Sequence, residues 1–525
     1  MLNYWWVTRP KRKLNSIPEI LACCASVSLN CEWQGHVYTH LAFEQALEDS
    51  GLKRIGERRD QRGGGGRTYF AWLESLGLVF THEATGQTKL TLAGEAIVNG
   101  ESPVAILKNQ ILKYQFPSPF SLSPVSSKSR VHERFRIKPF IFLFRLLRDG
   151  RLGYYLTQEE IAKIVVTEAE RNTDRCFNYI VERILQFRNY GDSILAEDFF
   201  EQYAPSSGRV NPEHPYSHLL DLANTLINWL EYTQLIVRNV NDIVGSIGIL
   251  PESVAEVDAI LANAGGLIDR PEEQEYFQRK YGLDPRHQRD NRNLMETQTI
   301  TPRILDEQRI RQAFITQSLH SPIFGITTEL VDVVADITGV NRRFVEETLL
   351  QYYPHGAIGA FMTEYFEMAF KGREDATDFE RATVDLFRDA FHFNTRHVGP
   401  IGRTPDVLLI SDNAGYQAII DNKAYSHYTI SNDHHNRMVH NYIANLQNYS
   451  DSRYPLAFFS YIAGGFGHNI NNQLMSIMEE TNVPGSAVCV SHIIKMVEKN
   501  QTQPYSHAQI KDLFSMNRQL VLTDL

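Results

Sequence analysis

Residues Thr404 to Ser426 read TPDVLLISDNAGYQAIIDNKAYS, and no other stretch limits the fold as tightly. Val407 to Ile410 is a short, fully apolar run, Ser411 to Gly415 has the composition of a turn, and Tyr416 to Lys423 is a second run ending in Asp421-Asn422-Lys423. Two such runs across a short turn pair as strands. Side chains alternate along a strand, so Asp421 and Lys423 share a face and Asn422 points the other way. Asp406, after Pro405, stands at the start of the partner strand, and the turn can bring it to the other two. Two carboxylates supply hard oxygen ligands suited to Mg2+, and the Asn422 backbone carbonyl can supply another. A lysine beside them can orient a water or lower its pKa, which completes what phosphodiester hydrolysis needs. An acid-x-Lys at a strand end is common on surface strands. Pro-Asp fifteen residues earlier, with apolar strands on both sides, makes the pattern more specific.

A chain of 525 residues is long enough for three or four domains at about 150 residues each. Its 43% hydrophobic and 22% charged content belongs to soluble globular proteins. No apolar run reaches the roughly 18 to 20 residues of a membrane helix, and MLNYWWVTRPKRK, with its charges after its aromatics, is not a signal peptide. Cys23, Cys24, Cys31, Cys176 and Cys489 are odd in number and clustered only near the start, which points to a reducing cytoplasm rather than a disulfide framework. The net charge of −10 does not exclude nucleic acid, because affinity follows a local basic face.

The first hundred residues read as helices followed by a hairpin. Ser16 or Asn15 can cap a helix at Ile17-Pro18, and a second helix spans about Leu41 to Asp49. Lys53 to Arg67 carries six basic residues against two acids around Gly63 to Gly66, and is expected to be a flexible basic loop. Arg67 to Gly77 is an amphipathic helix leading to Leu78-Val79-Phe80, a turn at Thr85-Gly86-Gln87, and Leu90-Thr91-Leu92. Helix then hairpin is the sequence image of a winged helix. Such a module can contact DNA, or it can serve packing or protein docking.

Lys128 to Arg151 holds eight basic residues against Glu133 and Asp149, interleaved with phenylalanines. This pattern suits phosphate contacts, and it also suits a solvated helix face. Thr157-Gln158-Glu159-Glu160 opens a capping box, Cys176 to Phe187 is a further helix, and Tyr154 to about Tyr281 reads as another winged-helix-like region. Gln288 to Thr301 is a polar connector, and helices near 302–317, 329–337 and 342–352 form a bridge. Beyond Gly356, alternating helix and strand indicate an α/β domain. Cys23, Cys24, Cys31, His36 and His40 lack a C-x2-C spacing, so core cysteines are the preferred reading over zinc. His427, His434, His435 and His440 read as DNA-facing or solvated rather than as ligands. Gly63 to Gly66 lacks the Lys-Ser/Thr of a P-loop, so no nucleotide cofactor is expected.

The run PDVLLISDNAGYQAIIDNKAYS resembles the core of the PD-(D/E)xK nucleases, specifically the FokI-type cleavage domain of type IIS restriction endonucleases. The likeness extends through LAFFSYIAGGFGHNINNQLMSIMEETNVPGSAVCVSHII and covers roughly Glu364 to Lys511. The N-terminal part is similar in organisation to enzymes of the AlwI and PleI kind. The resemblance implies that Asp406 and Asp421 bind metal and that Lys423 assists the nucleophilic water. Glu380 lies where such nucleases often carry a helix acid, although it also fits a capping box with Thr377. The helix Asn436 to Tyr449 occupies the place of the dimerisation helix, with Arg437 and Asn441 where that family has an Asp and an Arg.

The expected architecture is multidomain. It is mainly α with winged-helix-like subdomains at 1–150 and 151–290, a helical linker at 291–355, and at 356–525 an α/β PD-(D/E)xK domain with a mixed sheet flanked by helices. Candidate DNA contacts are Lys11, Arg12, Lys13, Arg58, Arg59, Arg62, Arg67, Lys128, Arg130 and Arg134. The resemblance implies a prokaryotic, cytoplasmic enzyme that recognises an asymmetric duplex site and cuts outside it. It would use Mg2+, which Ca2+ could replace without supporting cleavage, and would self-associate to cut both strands. A nicking enzyme, the large subunit of a heterodimer, and a non-catalytic DNA-binding regulator are the competing readings.

Overall fold

Pro18 and the helical spacing of Ile20, Leu21, Cys24 and Val27 produce the helix Ile17–Ser28, with Ser16 at the N-cap position but making no side-chain cap bond. The helix Val37–Asp49 follows. The Gly63–Gly66 run departs from expectation: it opens the helix Gly64–Ser75 instead of lying in a loop. Close packing is the reason. A Cβ on Gly63 would stand 2.6 Å from the His40 Cβ, one on Gly65 2.3 Å from Glu44 Oε1, and one on Gly66 2.4 Å from the His40 carbonyl oxygen. Glycine alone lets the two helices approach this far.

The structure is a computed structural model that describes residues 2–55, 61–120, 131–205, 214–240, 243–295, 301–370, 376–399 and 404–525. It forms two compact units, Met1–Thr316 with Ile326–Pro354, and Gln317–Gly325 with His355–Leu525. Among the described residues no helix is long and apolar enough to cross a membrane.

In the first unit, β1 (Val79–Thr81) and β2 (Thr88–Leu90) form the expected hairpin, turning through Gly86 at a φ of 66°. Leu29 and Glu32 bridge to Thr88 and Gln87 at its edge. A second small sheet joins β3 (Tyr155–Thr157), β4 (Ile236–Arg238) and β5 (Ser246–Ile249) in the order β3-β5-β4, all antiparallel. Thr157 builds the capping box that its spacing from Glu160 requires: its Oγ1 accepts from the Glu160 N–H at 3.2 Å, and Glu160 Oε2 accepts from the Thr157 N–H at 2.8 Å. The helices Asp174–Tyr190 and Ser217–Tyr232 lie between these strands in the chain.

One apolar cluster runs from Leu2 to Tyr281. It is continuous across residue 150: Trp229 stacks on Phe140 with centroids 5.8 Å apart, and Tyr114 meets both rings edge-on. The polar connector is tied down as well, since Asp290 accepts from Arg279 at 3.2 Å and Arg292 at 2.8 Å. The bridge helices Thr328–Thr338 and Arg342–Tyr352 belong to this unit. Just beyond them Tyr353 stacks on Phe314 at 4.0 Å, and its hydroxyl donates to the Val98 carbonyl at 2.7 Å.

The second unit has the expected α/β architecture. β6 (Asn394–His397), β7 (Val407–Ser411), β8 (Tyr416–Asn422), β9 (Leu456–Ala463), β10 (Gly485–Cys489) and β11 (Arg518–Gln519) make one mixed sheet in the order β11-β10-β9-β8-β7-β6. β6 to β8 run antiparallel, and β8 to β11 parallel. Every residue of β8 is buried, the apolar Ala418, Ile419 and Ile420 at its centre because the strand is covered on both faces, and the polar Gln417, Asp421 and Asn422 toward its ends as well. Ala418 and Ile420 enter a core with Phe379, Phe387 and Phe458. Ile419 enters the opposite core with Phe459, Tyr461 and Leu474.

The glycine packing is testable. Gly66→Ala is expected to destabilise the first unit by about 1–3 kcal/mol, the usual cost of overpacking, read as a lower urea midpoint. An unchanged midpoint would show that the helices have room to part.

Candidate active site

The β7–β8 register builds the site. Val407 pairs with Ile420, and one residue further along the same antiparallel ladder Asp406 stands against Asp421. The Asn422 N–H donates to Asp406 Oδ2 at 2.6 Å, which fixes that carboxylate at the strand end. Lys423 Nζ lies 2.6 Å from Asp421 Oδ2, and the Lys423 N–H donates to the Ile462 carbonyl on β9 at 2.8 Å. Alternation places side chains as expected: Asp421 and Lys423 pair on one face, while Asn422 Nδ2 donates to Thr383 Oγ1 at 2.7 Å in the helix Ala376–Asp389.

Burial, and then the negative charge of Asp421, push the Asp406 carboxyl well above the usual carboxylate range against the opposing pull of Lys423. Burial works against the Lys423 ammonium, yet Asp421 and Asp406 together hold it above the ordinary lysine range, so it is charged. Asp421 Oδ1 is buried without a hydrogen-bond partner. The site therefore combines an unpartnered carboxylate oxygen with a second carboxylate whose charged form is disfavoured, and the one ammonium of Lys423 faces the acids Asp406, Asp421 and Glu380. This donor set fits a divalent cation, which would add positive charge beside the two carboxylates. Among the described residues no three His, Cys, Asp or Glu side chains converge as a ready metal cage. Mg2+ does not need one, since it keeps several waters and takes one or two carboxylates together with substrate oxygens.

The helix carrying Glu380 begins at Ala376, so Thr377 lies within its first turn and does not cap it. Glu380 Oε2 instead meets His397 Nε2 at 2.8 Å, and its charge acts on both Asp406 and Lys423. His397 has no local signal in the sequence. It reaches the site because β6 pairs with β7, where the Val398 N–H donates to the Asp406 carbonyl at 3.0 Å. Tyr428, His434 and Tyr442 also border the site. His434 Nδ1 lies 2.9 Å from the Tyr428 hydroxyl, and burial, then Lys423, lowers its pKa. Burial and the Asp421 charge keep the Tyr428 and Tyr442 phenols protonated. Gly465 closes the loop after Lys423: the Tyr428 N–H donates to its carbonyl at 2.8 Å, and a Cβ there would lie 2.4 Å from the Ser426 carbonyl oxygen.

Other expected residues are placed as follows. Arg437 Nη2 pairs with Asp433 Oδ2 at 2.7 Å on its own exposed helical stretch, and Asn441 is half-buried in the same segment. His435 meets Glu480 at 2.8 Å, His427 faces His468 across 6.0 Å, and His440 is exposed. Cys23 and Cys24 are buried in the core, and His40 Nε2 contacts the Trp33 carbonyl at 2.8 Å. Lys11 is half-buried, Lys13 is exposed, and Arg12 is paired with Asp221 at 2.9 Å. Arg67 Nη1 donates to the Arg62 carbonyl at 2.5 Å. Arg58, Arg59, Lys128 and Arg130 lie outside the described residues.

Arg134 corrects the expectation of a DNA contact. Its guanidinium is turned inward, to Glu170 at 3.0 Å and to the Asn3 and Thr167 carbonyls at 2.7 Å each. The rest of that basic stretch is largely neutralised too: Arg145 binds Asp174, Arg148 binds Asp258 and Arg151 binds Asp149.

Comparison with known proteins places the chain among the restriction endonucleases. Residues 339–521 match the family model described as FokI, cleavage domain. Residues 74–350, more than half of the chain, match the family model described as AlwI restriction endonuclease, and the chain belongs to that family. Type II restriction enzyme StsI of Streptococcus sanguinis is 25% identical over a match covering 26% of this chain and 24% of that enzyme, so the chain spans about a quarter of the curated relative's length. Two solved structures, restriction endonuclease FokI alone and bound to DNA, are 13% and 14% identical. They cover 99% and 95% of this chain, and 100% and 89% of theirs, at TM-scores of 0.29 and 0.28. Scores that low establish neither fold nor function.

The charge arrangement predicts a pH effect. Because folding raises the Asp406 pKa, the folded chain holds that proton more tightly than the unfolded one, and stability falls as pH rises from the ordinary carboxylate range toward the raised value. In metal-free buffer at neutral pH, Asp406→Asn is therefore expected to stabilise the second unit by about 1 kcal/mol, a gain that shrinks as pH falls toward about 4. Thermal unfolding at both pH values checks this, and a variant less stable than the parent at neutral pH would contradict it.

Proposed function

We propose that the chain is a type IIS site-specific deoxyribonuclease whose first unit recognises an asymmetric duplex site and whose second unit hydrolyses a phosphodiester outside it with Mg2+. The convergence of Asp406, Asp421 and Lys423 beside an unpartnered carboxylate oxygen carries this reading, and membership of the AlwI family supports it. Asp406, Asp421 and the Asn422 carbonyl hold the metal. When bound, Mg2+ neutralises charge developing on the phosphate and lowers the pKa of the attacking water. Lys423, kept cationic by the two aspartates, orients that water. Asp421 sets the direction of the ammonium, and the Asn422 N–H keeps Asp406 from turning away. Glu380, braced by His397, adds to the field that favours a divalent cation.

The finer organisation belongs to the same proposal. The helices followed by β1–β2, and β3 to β5 with their intervening helices, support winged-helix-like recognition subdomains at 1–150 and 151–290. A helical linker at 291–355 and the nuclease domain at 356–525 complete the chain. Lys11, Arg12, Lys13, Arg62 and Arg67 remain proposed DNA contacts, joined by Arg58, Arg59, Lys128 and Arg130. One such site cuts one strand, so duplex cleavage takes two copies, with the exposed stretch around Arg437 and Asn441 as the pairing surface. Five free cysteines accord with a reducing cytoplasm.

Asp421→Ala and Lys423→Ala are each expected to slow plasmid cleavage in Mg2+ by about 10²–10³-fold, the usual cost of removing one electrostatic stabiliser of a transition state, while leaving DNA retention in Ca2+ intact. Run-off sequencing of the parent's products locates both cuts. Full activity in either variant, or a parent that never cuts duplex DNA, would remove the reading.

A further inference from the structure

Arginines of the first unit are mostly neutralised inside the fold. Arg134 pairs with Glu170, Arg145 with Asp174, Arg183 with Glu168 and Arg188 with Glu160. Arg136, Arg171 and Arg175 differ. All three are exposed, and none forms an ion pair among the described residues.

They are also brought together. Arg136 and Arg171 are partners in a parallel backbone bridge, with the Arg136 N–H donating to the Glu170 carbonyl at 2.8 Å. Arg175 follows in the first turn of the 17-residue helix Asp174–Tyr190. The acids next to Arg171 and Arg175 in sequence are already occupied: Glu170 lies 3.0 Å from Arg134 Nη1, and Asp174 lies 2.7 Å from Arg145 Nη2. Glu133, in the turn before Arg136, pairs with none of the three. Five arginines thus meet two engaged carboxylates and Glu133, and the excess positive charge points to solvent.

We propose that Arg136, Arg171 and Arg175 form a patch that grips the sugar–phosphate backbone of duplex DNA, an inference that rests on the endonuclease reading above. Arginine's planar donor fork matches the phosphate oxygens. In a chain of net charge −10, long-range attraction cannot deliver a polyanion, so contact depends on a local surface left unneutralised. The bridge between Arg136 and Arg171 fixes two of the cations on adjacent backbone segments, and such contacts set position rather than sequence preference.

A mixed-sequence duplex oligonucleotide in metal-free buffer tests the patch without knowledge of the recognition site. Binding is followed against KCl concentration for the full-length parent, for Arg136→Gln, Arg171→Gln and Arg175→Gln, and for the triple variant. Each substitution is expected to lower the log–log salt slope by about one, and the triple by about three, with unfolding midpoints unchanged. Arg303→Gln with Arg343→Gln, which remove arginines paired to glutamates on their own helices, should leave the slope as in the parent. A triple variant with the parental slope, or a control pair that loses as much, overturns the patch while DNA cleavage by the parent still stands. A parent that binds no duplex at low salt overturns the endonuclease reading and the patch with it.

Discussion

Two aspartates set face to face by an antiparallel ladder are the constraint on which the second unit depends. The β7–β8 register leaves Asp406 and Asp421 no freedom to separate, and like charges at that spacing repel most strongly where water is excluded. Lys423 offsets part of this, and the sheet supports the rest. β8 is buried along its whole length between β7 and β9, so the cores on both faces hold the strands in register despite the charge at their ends. The arrangement is a local violation of stability rules maintained by surrounding packing, which is the usual mark of a functional site.

Charge in the first unit is handled in the opposite way. Most of its arginines lie against carboxylates and carbonyls, bracing loops to helices: Arg188 holds Glu160 at 2.6 Å together with the Leu152 and Tyr155 carbonyls, and Arg148 takes Asp258 with two donors. Richness in basic residues along a segment is therefore a poor guide to a binding face. Arg134 and Arg136 are two residues apart, and one is turned into the fold while the other is exposed.

Legibility followed the range of the interaction involved. The capping box at Thr157 and the Thr404–Ser426 hairpin were readable because each depends on residues within about one turn or one short loop. The Gly63–Gly66 run is not legible locally because its purpose lies in another helix: glycine signals equally a loose loop and a close helix contact, and only the positions of His40 and Glu44 separate the two. His397 was invisible for the same reason. It meets Glu380 across a helix–strand contact, and its neighbour Val398 bonds Asp406 through sheet pairing.

The sequence by itself determined that Asp406, Asp421 and Lys423 come together at the ends of paired strands, because strand periodicity and a short turn are local properties. It also determined that the C-terminal part is an α/β domain. Tertiary structure alone decided which carboxylate oxygen is left without a partner, which acid joins the rim of the site, and which arginines stay exposed once the others are neutralised. Those outcomes depend on what burial brings opposite each charged group, and residues far apart in the chain supply that neighbourhood.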